Sequence, residues 1–310
     1  MIYHINTKKK LKKIMKIFDC FMFFDEEMIL DLRFNLLDPH VDFFVIVESR
    51  YLHNGNEREL VFDINKYQKF KDKIIYLIFD EIPSKVEKIN EADNEDIKSW
   101  KYTMNAIYRE NGQRDYILNG LKNADENDMI IISDVDEIPN LEGVNFEKIS
   151  NKIILFKQDM TYYKFNLRMP KFKWTGTKAC KKKYLTTPQW LRVIKDRKYP
   201  FFRLDILFSK NKYINVKIIN DGGWHFSNMK TAKGLEHKYK SYMHHREFDM
   251  VPLSVEQIDD LVQNKKAIYD LKVDKRVNKV GNGSILEKFE IDELPNYIQN
   301  NLNVYKDWID

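Results

Sequence analysis

Ile130-Ile131-Ile132-Ser133-Asp134-Val135-Asp136-Glu137-Ile138-Pro139 decides how this chain of 310 residues is read. Met129 to Ile132 is a continuous apolar run, the pattern of a strand covered on both faces. It delivers Asp134 and Asp136 at i and i+2, and Pro139 ends the element. Three acids in four positions at the end of a buried strand carry repulsion and desolvation costs, which a divalent cation relieves. Hard oxygen ligands suit Mg²⁺ or Mn²⁺, ions that keep several waters and also bind substrate phosphates. The plainer alternative is a solvated acidic turn. A metal bridging a nucleotide diphosphate would neutralise charge on a leaving group, as sugar transfer from a nucleotide sugar requires. Phosphatases with a nucleophilic first Asp also place this triplet after a strand, but there a small residue and then Thr or Val follow, where this chain has Glu137 and Ile138.

Further apolar runs precede this one. Residues 15–24, 41–47 and 73–79 each read as a buried strand, and a helical face (Met28, Ile29, Leu32, Leu36, Leu37) separates the first two. Residues 80–96 carry seven acids against two lysines and contain Pro83, which reads as a surface loop. Trp100 to Asn123 reads as a helix with a break near Asn111-Gly112. Strands alternating with helices indicate an α/β fold with a parallel or mostly parallel sheet. Such sheets bind ligands at the carboxyl ends of their strands, where Glu48 and Ser133 to Asp136 fall. Residues 152–165 and 212–219 read as strands, and 230–247 and 254–270 as helices. No convincing linker appears. The expected organisation is a basic extension (1–14), a catalytic domain (15–250) and a helical elaboration of it (251–310).

Composition excludes several classes. Hydrophobic residues make up 43% and charged residues 32%, so a sizeable core can form and disorder is not indicated. The net charge of +5 rests on the amino terminus, where residues 1–16 hold six lysines and no acid. The remainder has 46 basic against 47 acidic residues, so bulk charge does not indicate a nucleic-acid partner. No apolar run reaches the roughly 20 residues that cross a bilayer, and no signal-peptide core is visible. Weak membrane association through the basic amino terminus remains open. Cys20 and Cys180 lie far apart with no CxxC, which fits a reducing, cytoplasmic compartment.

A second signal is Asp221-Gly222-Gly223-Trp224-His225-Phe226. Trp224 offers a flat face for a sugar ring, and His225 a neutral imidazole for a metal. A tight turn followed by a core Trp is the plainer reading. Lys171 to Lys183, with Trp174 and six lysines, reads foremost as a solvated loop, with an anionic acceptor or nucleic acid as alternatives. Tyr162-Tyr163 and Pro200-Phe201-Phe202 are candidates for an acceptor groove.

Five segments in order carry a family resemblance. They are Phe18 to Phe21 with Phe23-Phe24; Val41 to Ser49 followed by His53 and Gly55; Gln113-Arg114; Ser133 to Pro139; and Gly223 to Ser227. Over residues 15–250 the chain resembles glycosyltransferase family 17, the family of the β-1,4-mannosyl-glycoprotein β-1,4-N-acetylglucosaminyltransferases. The resemblance implies a GT-A type fold, with a Rossmann-like, mostly parallel sheet flanked by helices and an acceptor side at its carboxyl-terminal end. It implies inverting transfer from a UDP-sugar, typically UDP-N-acetylglucosamine, with Mn²⁺ or Mg²⁺. By the same resemblance Asp134, Asp136 and His225 would hold the metal, Glu48 would meet the uridine, and Arg114 would face the diphosphate. Leu52 departs from the pattern, which has Thr there. The animal enzymes carry a membrane anchor not seen here, so the expected acceptor is a glycan or glycoconjugate of unspecified kind.

Inversion needs a carboxylate general base near the acceptor hydroxyl. Asp159, Asp221 and Glu247 are the candidates, with Asp221 and Glu247 preferred. Glu247 follows His244-His245, of which at most one can face a site on a helix. The rival readings are the phosphatase and a catalytically silent carbohydrate-binding protein on the same fold.

Overall fold

Each apolar run of the first half becomes a strand: β1 (Ile17–Phe23), β2 (Phe43–Ser49), β3 (Ile74–Phe79) and β4 (Met129–Asp134). The second half adds β5 (Glu137–Pro139), β6 (Ile153–Phe156), β7 (Gln158–Tyr162), β8 (Leu167–Trp174), β9 (Lys178–Lys181), β10 (Val216–Ile219), β11 (Gly223–Ser227) and β12 (Glu287–Lys288). The computed structural model describes residues 15–197, 199–200, 202–206, 208–242, 248–249, 251–268 and 283–310. The amino-terminal extension and Glu247 with its two histidines lie outside them.

Seven strands form the main sheet in the order β10-β6-β9-β4-β1-β2-β3. The neighbours β4-β1-β2-β3 are all parallel, and β9 runs antiparallel between β4 and β6. This is the mostly parallel α/β sheet that the alternation of strands and helices implied. Period-2 geometry explains why its strands are apolar throughout. On β1, Phe21 and Phe23 join Leu30, Phe34 and Phe44 on one face, while Phe18 and Cys20 join Val45, Ile132 and Leu121 on the other. A second sheet, β12-β8-β7-β11-β5, packs its Met160, Tyr162 and Leu167 against Leu235, Tyr239 and Ile258. The last three lie on α4 (Ala232–Ser241) and α5 (Val255–Gln263), which follow α1 (Glu27–Leu37), α2 (Glu95–Asp115) and α3 (Pro188–Arg192).

Three local expectations are corrected. Residues 152–165 are two strands in different sheets. The chain turns at Lys157, whose N–H donates to Ile219 O (2.8 Å) and whose carbonyl accepts from Gly222 N (2.8 Å). A Cβ on Gly222 would lie 2.6 Å from Lys157 N, so only glycine permits this approach. The expected helix starts at Glu95, where the Asn94 side chain accepts from Ile97 N, and it runs unbroken past Asn111-Gly112 to Asp115. Its first turn therefore takes the end of the acidic stretch, as the helix dipole favours. Lys171 to Lys183 is no loop. It completes β8, forms β9 and ends in a short 3₁₀ turn at Lys182–Tyr184. Lys178 is buried and donates to the carbonyls of Arg192 and Ile194, and Lys182 Nζ donates to Leu121 O (2.5 Å) and Ala124 O (2.7 Å). These lysines bind the chain to itself.

One side chain ties the first helix to the Asp134–Glu137 loop. Arg33, fully buried on α1, makes a two-point ion pair with buried Asp19 of β1, at 2.7 Å from Nε and 2.6 Å from Nη2. Its Nη1 donates to the carbonyls of Asp134 (3.0 Å), Val135 (3.1 Å) and Glu137 (3.0 Å), and Nη2 also donates to Ser133 Oγ (2.5 Å). The guanidinium lies 4.5 Å over the Phe21 ring.

Two predictions follow from these buried cations. Arg33→Met strands the Asp19 carboxylate, so urea unfolding should show a loss of about 3–5 kcal/mol, partly recovered by adding Asp19→Leu. Burial, aided by Arg192 nearby, pushes the Lys178 amine down to about 7. Between about pH 7 and the unfolded value near 10.4 the unfolded chain holds the proton that the folded chain has lost. Stability therefore rises with pH across that window, by at most about 1.4 kcal/mol per unit. In urea melts at rising pH the wild type should gain on Lys178→Met; parallel curves would exclude the linkage.

Candidate active site at the carboxyl ends of the strands

The carboxyl ends of β1, β2 and β4 open into a cleft of about 540 Å³, closed on its far side by β7, β11 and α4. Its floor is the Asp134–Asp136 loop. Asp134 is held at both oxygens, by Arg114 Nη2 at 3.0 Å and Arg192 Nη2 at 2.7 Å. Burial alone would raise its carboxyl, but the two guanidiniums outweigh that and hold it well below the carboxylate range. Arg114 comes from α2, where Glu110 one turn earlier also takes it at 2.7 Å. Arg192 is the last residue of α3, a short helix capped by the Thr187 hydroxyl and started by Pro188.

Glu137 is fully buried. Its Oε2 accepts from Asp134 N (2.9 Å), and its Oε1 takes Arg192 Nη2 (2.7 Å) and the Trp174 indole N–H. Gly176 makes room for it: a Cβ there would lie 2.1 Å from the Glu137 carboxyl carbon. The acidic crowding is thus relieved largely by arginine.

Asp136 points elsewhere, to His225 Nε2 at 3.5 Å. The two elements are joined by Phe226 N donating to Asp136 O (2.9 Å). Burial lowers the imidazole, but Asp136 more than compensates and raises it; in return His225 overcomes burial and lowers Asp136. His225 Nδ1 is buried without a hydrogen-bond partner among the described residues. The trio Asp134, Asp136 and His225 therefore does not assemble as one ligand set, and no group of three His, Cys, Asp or Glu side chains among the described residues could hold a metal. The two groups left that would hold a divalent cation are Asp136 and His225. Asp134 is not among them, because both its oxygens are engaged.

Arg114, Asp134, Asp136 and His225 meet in the cleft. Tyr162, an expected acceptor-side residue, lines the cleft with them. Glu247 lies outside the described residues. Trp224, Asp159, Asp221, Glu48 and Phe202 are placed elsewhere. Trp224 alternates away from His225 on β11 and stacks on Phe226 (6.3 Å, 2°), so it does not line the cleft. Trp174 takes its place in the cleft wall, 5.5 Å from the His225 ring. Asp159 shares the Trp224 side of the sheet and pairs with Lys173 at 2.7 Å. Asp221 is exposed in the Gly222 turn, outside the cleft. Glu48 is buried behind it, accepting from Val61 N (2.8 Å), Phe62 N (3.1 Å) and Tyr76 Oη (2.7 Å) and pairing with Arg58 at 3.0 Å. With its oxygens so used, Glu48 holds the loop that follows β2 and does not face a nucleotide. Phe202 is 70% exposed and does not line the cleft.

Sequence reasoning missed Arg192, Trp174 and Glu26. Glu26 follows β1 and lines the cleft, and its Oε2 accepts from Phe24 N (3.2 Å) and Asp25 N (3.1 Å). Burial, with Asp25 and Asp136 nearby, raises its carboxyl against the pull of Lys230 and Lys238. The acids Asp25-Glu26-Glu27 at the end of an apolar strand were a legible signal for it. Nothing local marks Arg192. Beside them, His53 is held by Gln113 (3.3 Å), whose amide also donates to Val47 O (2.9 Å), and burial lowers its imidazole.

Comparisons with known proteins agree with this architecture. The β-1,4-mannosyl-glycoprotein 4-β-N-acetylglucosaminyltransferases of Homo sapiens and Rattus norvegicus are each 28% identical to it over 125 residues, 39% of this chain. The Mus musculus enzyme is 27% identical over the same length. The matched region is 21% of each relative, so the similarity spans about a fifth of their length. The model of glycosyltransferase family 17 matches residues 2–308, nearly all of the sequence. With the α/β sheet and the cleft at its carboxyl edge, that match identifies the chain as a member of glycosyltransferase family 17, and so as a glycosyltransferase.

Proposed function

We propose that the cleft binds a UDP-sugar, with UDP-N-acetylglucosamine the first candidate, and transfers the sugar with inversion to a hydroxyl of a glycan or glycoconjugate. The observation that carries this reading is the Asp136–His225 pair facing a cleft whose floor holds Arg114 and Arg192. A bound Mn²⁺ or Mg²⁺ would neutralise charge on the departing diphosphate, held by Asp136 and His225. Arg114 and Arg192 line the same floor, their charge shared with Asp134, Glu110 and Glu137, and would turn N–H donors toward the diphosphate while Asp134 keeps both guanidiniums oriented. Trp174 gives a flat wall for a sugar ring.

Glu26 is our assignment for the general base, in place of Asp221 and Asp159, which lie outside the cleft. A half-buried carboxylate with a raised pKa holds a proton more readily than an exposed one. As the acceptor oxygen bonds to the anomeric carbon and the bond to the diphosphate oxygen breaks, Glu26 takes the hydroxyl proton. The phosphatase reading is weaker here, because an attacking Asp134 would have to leave both arginines. The relatives' names point to N-acetylglucosamine as the sugar. Free, buried Cys20 and Cys180 suit the reducing, cytoplasmic setting we propose.

Isothermal titration over a panel of UDP- and GDP-sugars, with Mn²⁺ or with EDTA, tests the donor. One UDP-sugar should bind only with metal, and Asp136→Ala or His225→Ala should abolish that binding. If no nucleotide sugar binds under either condition, a glycan-binding protein without catalysis is the better description. Glu26→Gln should keep donor affinity within about twofold and lower turnover by about 10²–10⁴-fold. Unchanged turnover would remove Glu26 from the mechanism.

A further inference from the structure

Phe202, Leu204 and Phe208 are 70%, 72% and 88% exposed within one seven-residue stretch. Large apolar side chains grouped this way on a surface mark a contact with something other than water. The segment is anchored. Ile206, between them, is buried, and turns closed by Arg203 N to Pro200 O (3.2 Å), Ile206 N to Arg203 O (3.3 Å) and Ser209 N to Ile206 O (3.1 Å) hold the exposed side chains outward. Its base is closed by Lys195 N to Asn211 O (2.8 Å) and Trp190 Nε1 to Lys210 O (2.9 Å).

Cations surround this apolar tip. Arg203 and Lys212 share Asp205 at 2.8 and 2.9 Å. Lys195, Arg197 and Lys210 have no acidic partner among the described residues. Apolar side chains at a loop tip above a cationic base fit an anionic bilayer surface: the tip enters the acyl boundary and the cations meet headgroup phosphates. We propose that Phe202, Leu204 and Phe208, with Lys195, Arg197 and Lys210, dock the protein on an anionic membrane surface. The segment follows α3, whose last residue, Arg192, pairs with Asp134 at the cleft floor. The docking itself does not depend on the transferase reading.

Co-sedimentation with phosphatidylcholine vesicles, with and without phosphatidylglycerol, tests it. The full chain should pellet with the anionic vesicles and not with the neutral ones. Phe202→Ser with Phe208→Ser should weaken that binding about tenfold or more, since two phenylalanines no longer leave water. Lys195→Glu with Lys210→Glu should weaken it as well. Both pairs are exposed, and circular dichroism should show an unchanged fold. A third variant, with Lys8, Lys9, Lys10, Lys12 and Lys13 replaced by Gln, should still bind. Loss of binding in that variant alone would assign the effect to the amino terminus and overturn the proposal. So would absence of vesicle binding, or a dimer in size-exclusion chromatography that Phe208→Ser dissolves.

Discussion

A buried guanidinium holds the Asp134–Glu137 loop of this protein in place. Arg33 sits in the apolar face of the first helix, with no access to water, and its charge is met by Asp19 on the central strand. Its Nη1 fixes three backbone carbonyls of a single loop, those of Asp134, Val135 and Glu137. A buried charge is tolerated only when fully paired and hydrogen-bonded, and here the loop's carbonyls supply that satisfaction. Position of the loop and solvation of the arginine are therefore one constraint. Everything the loop presents to the cleft depends on it.

Two further arginines govern what the loop can do. Asp134 and Asp136 are two residues apart and share an origin, yet their electrostatic surroundings differ. The first faces Arg114 and Arg192 and is committed to keeping them oriented. The second faces a histidine and the cleft. Glu137 turns inward to support Arg192 and Trp174. Three acids that crowd one another in the sequence thus take different surroundings, so the floor of the cleft combines an internally paired arginine–carboxylate cluster with one carboxylate–imidazole pair.

Much of the fold was legible because buried parallel strands leave an unmistakable trace. Their residues are apolar on both faces, and the runs ending near Phe23, Ser49, Phe79 and Asp134 could hardly be anything else. Of the site, Arg114, Asp134, Asp136 and His225 were legible, as acids and bases placed at strand ends or within a recognisable segment. Trp224 was misread because the side of a strand on which a residue falls depends on register. In β11 the pairing with β5 and β7 turns His225 into the cleft and Trp224 away from it. Glu48 carried the right position and the wrong role, since only the fold brings Val61, Phe62, Tyr76 and Arg58 to its oxygens.

The sequence by itself determined the sheet, its carboxyl edge and the pair of aspartates offered there, because local apolar periodicity and strand ends are properties of neighbouring residues. Only the tertiary structure decided which charges meet. Arg33 and Asp134 are 101 residues apart in the chain, and Arg192 lies 58 beyond Asp134. Electrostatic energy falls with distance through space and is indifferent to distance along the chain. Which aspartate is neutralised by arginine and which is left for a ligand is therefore a property of the folded molecule.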